Sequence, residues 1–370
     1  MYKATGEARI TDVPKVSITK PLPPETFIDH REGEESHDFV HGPGFNAETR
    51  WEAMPPDEYL TPTDIFYVRS HAPTPHLDAA AWRLEVEGDA VERSFSIGYE
   101  ELLGLPSVAV VKMLECAGNG RIFFGEDQNR ETPGTQWRLG AVGVAEWTGV
   151  PLREILERAN VKPSARDVMA ESLDEARMRR PIPIGKALDD AIVAYAMNGE
   201  TLPLDHGFPA RLVVPGWAAV ASVKWLGKLT VSSEPLFSPW NTEKYVLTGG
   251  GHDGSPITNS VTKSAPHLAW DAEVPSGPNT VRGRSWTTEG SIARVEWSLD
   301  GGEWRDCDIE GPNLPEAWAT WEISADLPPG RHTLRLRATD TEGNTQPEEA
   351  PFNDEGYLYG AVVGFPIHAT

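Results

Sequence analysis

The sequence predicts a chain richer in sheet than in helix, in which strands mixed with short helices are followed by an all-β sandwich of immunoglobulin-like type. Three observations predict this. Short apolar, β-branched runs recur between turn residues, in a chain carrying 34 Gly and 32 Pro. One segment, Leu152 to Asn160, places Leu152, Ile155 and Leu156 on a single helical face. Beyond about residue 263 a strand pattern takes over, with Val295, Trp297 and Leu299 alternating with Arg294, Glu296 and Ser298.

Taken in order, residues 1–60 read as an extended arm, rich in Pro, Glu, Asp and His and laid over a domain surface, with a turn at His41 to Gly44. A strand ending in Arg69-Ser70-His71 follows, then a second from Trp82 to Gly88 and a short helix from Ile97 to Leu103. Val108 to Val111 open a buried strand, and Val168 to Leu173 give another. Lys186 to Asp190 read as a short helix, Ile192 to Met197 as a strand, and Asn198-Gly199 as a tight turn. Leu212 to Val214 and Val220 to Gly227 are two further strands, with Lys224 inside the second. The expected domains are 61–258, catalytic, and 262–370, a seven-stranded sandwich serving packing or subunit association.

Composition excludes several functions. A formal charge of −23 opposes binding to a phosphate backbone, so no nucleic-acid partner is expected. No run of eighteen apolar residues spans a membrane, and the polar N-terminus lacks a signal-peptide core, so a cytoplasmic location is expected, or a periplasmic one had an export signal been removed. Two cysteines, Cys116 and Cys307, are too few for a disulfide framework or a cysteine-rich metal site. Cys307 lies between Asp306 and Asp308, which oppose thiolate formation.

Cys116 is different. The strand beginning at Val108 delivers it into Ala117-Gly118-Asn119-Gly120-Arg121, a loop built to turn sharply beside a fixed positive charge. A guanidinium favours the thiolate, the form that attacks or ligates a soft metal.

Several segments together resemble the sulfite oxidase family of molybdenum enzymes: FYVRSHAPTP, LECAGNGR, GAVGVAEWTGVPLREIL, NGETLPLDHGFPARLVVPG and ASVKWLGKL, then SLDGGEW and AWATWEI. The resemblance covers about residues 60 to 366. It implies an α+β molybdopterin-binding domain followed by an immunoglobulin-like dimerisation domain, and molybdenum-molybdopterin as cofactor. Cys116 matches the protein ligand to molybdenum. Arg69 and Arg121 match arginines of the substrate anion pocket, and Trp137 the tryptophan lining it. Arg69, Ser70, His71, Asp174, His206, Arg211, Ser222 and Lys224 fall in segments that hold the cofactor. Arginine forks suit oxyanions and phosphates, and the cofactor carries the redox step.

Two positions depart from the family. Met178 stands where the resemblance places an active-site tyrosine, and Glu355 where an arginine completes the anion pocket. Arg177, Arg179 and Arg180 are candidates to restore positive potential, and Tyr357 to supply a hydroxyl. The expected activity is oxidation of sulfite to sulfate, with electrons passed to a separate acceptor such as a small cytochrome, in a homodimer. The alternatives are the same cofactor acting on another sulfur compound, or reducing nitrate or an S-oxide, and, more remotely, a cofactor-free scaffold.

Overall fold

The computed structural model describes residues 19–30 and 45–370; the turn expected at His41 to Gly44 lies outside them. Three sheets build the N-terminal two thirds. The first pairs Phe27–Asp29 with Phe45–Thr49 and Phe45–Thr49 with Val68–Ser70. Phe45–Thr49 therefore does not lie over a surface, as an extended arm would: all five residues are buried, because the strand is central and carries Phe45, Ala47 and Asn46 into the interior. The register sets Asn46 opposite Arg69.

The second sheet runs Glu200–Thr201, Ile192–Met197, Val142–Pro151, Val108–Glu115, with Arg211–Val213 also paired to Ile192–Met197. Val108–Glu115 is buried only over its last three residues, and Val108 is exposed. Alternating pairing along Val142–Pro151 carries this strand inward, so its end delivers Cys116 to the interior. The hairpin expected at Asn198-Gly199 forms, with both residues at positive φ.

The third sheet has the order Phe95–Gly98, Arg83–Glu87, Leu226–Ser232, Asp167–Ser172, Arg179–Pro183. The helix expected from Ile97 spans only Tyr99–Leu103, because Ile97 belongs to the preceding strand. The strand expected over Val220 to Gly227 begins at Leu226 instead; Ala219–Ala221 is a 3-10 turn, and that break turns Lys224 into a cavity. Helix Leu152–Arg158 buries Leu152, Ile155 and Leu156, and Asn160 follows it at φ 50°. These side chains join Trp82, Leu84, Leu212 and Leu229 in one apolar core, the burial that holds helix to sheet.

The C-terminal part is a sandwich of a four-stranded sheet (Lys263–Pro266, Gly277–Trp286, Trp318–Leu327, Asp308–Asn313) on a five-stranded one (Ala272–Val274, Gly364–Ala369, Gly330–Asp340, Ile292–Leu299, Arg305–Asp306). It exceeds the expected seven strands through short edge pairings such as Arg305–Asp306. Trp286, Trp318 and Trp321 fill its core. No helix among the described residues is long and apolar enough to cross a membrane.

Candidate active site

Cys116 leaves the strand end with its N–H on the Ala141 carbonyl, 2.9 Å away, and its own carbonyl accepts from Asn119 N at 2.9 Å. Asn119 explains the loop sequence: its amide donates to Glu115 Oε1 at 2.8 Å and its Oδ1 accepts from Ala141 N at 3.0 Å, so one buried side chain fixes both limbs of the turn. The thiol is 7% exposed. Burial pushes it above its ordinary pKa, against the opposing pull of Arg69, the Gly118 N–H and Arg121. The guanidinium effect expected from sequence is present but is outweighed by desolvation.

Two cavities meet at Cys116. The first is a cleft of about 750 Å³, partly open to solvent, and the structure brings to it Arg69, Ser70, His71, Asp174, His206, Arg211, Ser222 and Lys224 from five separate segments. Arg211 is 4% exposed; its Nη1 donates to His206 O at 3.0 Å and its Nη2 to Ser222 O at 2.9 Å, while its buried Nε has no partner among the described residues. Lys224 Nζ donates to Ser70 Oγ at 2.6 Å and to Asp205 O at 2.9 Å. Ser222 Oγ accepts from Val214 N at 3.0 Å, which leaves its proton available to the cleft.

These bases are held out of water without enough counter-charge. Burial, reinforced by Arg211, lowers Lys224 to about 7, and burial alone brings Arg211 down to about 10. His206 is pushed well below its usual value by burial and by Lys20, Lys224 and Arg211 around it. Asp174 is pushed up by burial, partly offset by its bond from Ser172 and by Lys224. A buried group of cations with an unpaired Arg211 Nε is a receptor for an anion, and the phosphate of molybdopterin fits it. Among the described residues no three His, Cys, Asp or Glu side chains converge on a metal position, so a metal at Cys116 would draw its other ligands from the cofactor.

The second cavity, of about 730 Å³, is lined by Arg69, Cys116, Arg121 and Trp137 together with Lys244, Tyr245, Glu355 and Tyr357. Arg121 is fixed by its Nε on Glu355 O and its Nη1 on Thr135 O, both at 3.0 Å, with the Tyr357 ring 5.2 Å from its carbon. Gly134, at φ +83°, lets the chain pass Arg121 closely: a Cβ there would meet Nη1 at 2.8 Å. Arg69 Nη1 donates to Asn46 Oδ1 at 3.0 Å and to Ser70 O at 2.8 Å. Asn46 also donates to Thr135 Oγ1 at 2.7 Å, linking the two arginines' supports.

Two expectations change. Met178 lines the first cleft, yet the site does not lack a phenol: Tyr245 Oη lies 2.8 Å from His71 Nε2 in the wall shared by both cavities, stacked on Tyr357. Arg180 does not supply the missing positive charge; it is buried with its guanidinium on the carbonyls of Trp240 and Ile257, and Arg177 and Arg179 are exposed. The cation beside Glu355 is Lys244. Sequence reasoning missed Asn46, in a short central strand without alternation, Lys244 and Tyr245, in an irregular stretch without a motif, and Lys20, whose backbone N–H bonds Asp205 at 2.9 Å and whose ammonium is 3.4 Å from His206 Nε2. Cys307 is buried in the sandwich, and burial and flanking carboxylates push its thiol up.

Comparisons with known proteins place the chain in a family. Residues 71–240 match the family described as oxidoreductase molybdopterin binding domain, and residues 256–362 the Mo-co oxidoreductase dimerisation domain. The chain is 34% identical to the mitochondrial sulfite oxidase of Mus musculus over 85% of its own length and 64% of that protein's, so it spans about two thirds of the mammalian relatives' length. It is 34% identical to sulfite oxidase of Gallus gallus over 82% of this chain and 71% of that one. It is 30% identical to NAD(P)H nitrate reductase of Hordeum vulgare over 85% of this chain and 40% of that protein. The crystal structure of the sulfane dehydrogenase SoxCD from Paracoccus pantotrophus superimposes with a TM-score of 0.80 at 26% identity, covering 98% of this chain and 97% of that one. The chain belongs to the sulfite oxidase family of molybdopterin-dependent oxidoreductases.

Proposed function

We propose that this chain oxidises sulfite to sulfate at a molybdenum-molybdopterin cofactor and passes the electrons to a separate acceptor. The reaction balances as sulfite plus water giving sulfate, two protons and two electrons. The single observation that carries the proposal is the position of Cys116 in the wall common to a buried cationic cleft and an arginine-lined cavity. In the cleft, Arg211, Lys224, His206, Ser70 and Ser222 would hold the cofactor's phosphate and pterin edge, with Asp174 a further contact, and Cys116 would anchor its metal. Bound there, the cofactor supplies oxygen-atom transfer and two-electron redox chemistry.

The chain's own residues supply the rest. Arg69 and Arg121, immobilised by Asn46, Thr135 and Glu355, present a prearranged pair of forks to an oxyanion. Trp137, 1% exposed, and Tyr357 wall the pocket against water, and Tyr245, held by His71, offers a hydroxyl at the metal side. A match to a dimerisation family supports a homodimer, and a small cytochrome suits the acceptor role.

Glu355 favours a second reading, a different or less highly charged sulfur substrate, because its carboxylate lines the pocket that an anion must enter. Assays of sulfite oxidation with an artificial acceptor, beside nitrate and S-oxide reduction, test both on protein of known molybdenum content. Sulfite turnover alone supports the first reading. No sulfite turnover by molybdenum-loaded protein rejects it.

A further inference from the structure

The mouth of the anion cavity holds an ion pair unlike the fixed arginines behind it. Lys244 Nζ lies 3.6 Å from Glu355 Oε1, and the two side chains are 27% and 26% exposed. That separation is longer than a hydrogen bond, and no hydrogen bond to another described residue ties either side chain. Both line the cavity with Cys116, Arg121 and Trp137.

Their backbones, by contrast, are pinned. Lys244 N donates to Pro239 O at 2.8 Å, behind a turn capped by Ser238, and Tyr245 O accepts from Ile257 N at 2.8 Å. On the other side Asn353 clasps Tyr357 through bonds of 2.7 and 2.9 Å, and Gly356 takes φ +62° where a Cβ would meet Thr132 Oγ1 at 2.5 Å. Leu358 N donates to Ala117 O at 2.8 Å, tying this segment to the residue after Cys116. Two pinned backbone positions thus carry two opposite charges, without hydrogen bonds of their own among the described residues, into one cavity.

We infer that Lys244 is a third, displaceable cation of the substrate pocket and that Glu355 is its resident counter-ion. An entering oxyanion takes the ammonium from Glu355, and the carboxylate recovers it when the product leaves. Lysine suits this role better than arginine, since its ammonium is a point charge on a rotatable stem with no fork to satisfy. Glu355 also lowers the positive charge of the empty pocket, so it limits affinity for dianions and keeps sulfate from occupying the site. This rests on the proposed reaction, because the pair matters only if an oxyanion enters here.

The test uses molybdenum-loaded holoenzyme with metal content matched between variants. It reads sulfite KM and kcat, and separately sulfate binding to the oxidised enzyme by calorimetry, which needs no turnover. K244M is expected to raise sulfite KM and weaken sulfate binding by about fivefold with little change in kcat, K244R to recover part of both losses by keeping the charge, and E355Q to tighten both by about threefold. K244M and E355Q that leave both quantities unchanged, or E355Q that weakens binding, would overturn the inference while sulfite oxidation stands. A parent enzyme that neither oxidises sulfite nor binds sulfate removes the functional reading, and this inference with it.

Discussion

Lys263 Nζ lies 2.7 Å from Glu115 Oε1, and the two side chains are 2% and 0% exposed. Glu115 is the residue before Cys116, and Lys263 opens the first strand of the sandwich. The carboxylate also accepts from Asn119 Nδ2 at 2.8 Å, from Trp286 Nε1 at 3.0 Å and from Ser260 Oγ, while Lys263 donates to Asn119 O at 2.8 Å. A buried pair needs such a complete set of bonds, since desolvation alone would exceed its attraction. The sandwich is thereby locked to the loop that carries the Cys116 thiol.

Removing one partner strands the other charge in the interior. K263M is expected to destabilise the protein by about 3–5 kcal/mol, and K263M/E115Q to recover part of the loss. Urea denaturation of the three proteins checks this; equal midpoints for K263M and the parent contradict it.

The buried cationic cleft sets a pH dependence. Lys224 titrates near 7 when folded and 10.5 when unfolded, so between those values the unfolded chain binds more protons. Stability of the cofactor-free protein should therefore rise with pH from about 7 toward 10. An anion in the cleft reverses the penalty on the charged lysine, so stabilisation by sulfate should be larger at pH 6.5 than at pH 9. Thermal unfolding of cofactor-free protein with and without sulfate reads this, and K224M should lose the difference.

Arg211 has a structural and a binding part. Its Nη1 and Nη2 satisfy the buried carbonyls of His206 and Ser222, which offsets the cost of its own burial, so R211M should destabilise the cofactor-free fold by no more than about 1–3 kcal/mol. The same variant should retain little cofactor. Pterin and molybdenum content of purified R211M decides; parent-like cofactor content would show that the cleft does not hold the phosphate.

Gly134 tests the positioning of Arg121. A Cβ at this positive-φ position meets Nη1 at 2.8 Å, so G134A should displace the guanidinium and raise sulfite KM about tenfold or more. Retained molybdenum content separates this from a failure to fold.

How much of this was legible in the sequence follows from where each residue's signal lies. Cys116, Arg121, His206 and Arg211 sit in short glycine- or proline-marked runs joined to strands, and the structure brings them to adjoining cavities. Helix Leu152–Arg158 was readable because burying one face imposes the 3.6-residue period. The strand Phe45–Thr49 was not, because a short central strand buried on both faces shows no alternation. Lys244 and Tyr245 were illegible for another reason: they reach the site through a long-range fold-back whose only local mark is the capped turn at Ser238. Hence the sequence shows Met178 in place of a phenol, while Tyr245 supplies one from elsewhere in the chain.

X-ray absorption at the molybdenum edge reads the proposed bond from Cys116 to the metal. Between the purified holoprotein and Cys116→Ser at equal pterin content, the variant is expected to show one fewer sulfur neighbour around molybdenum. An unchanged sulfur shell would contradict it.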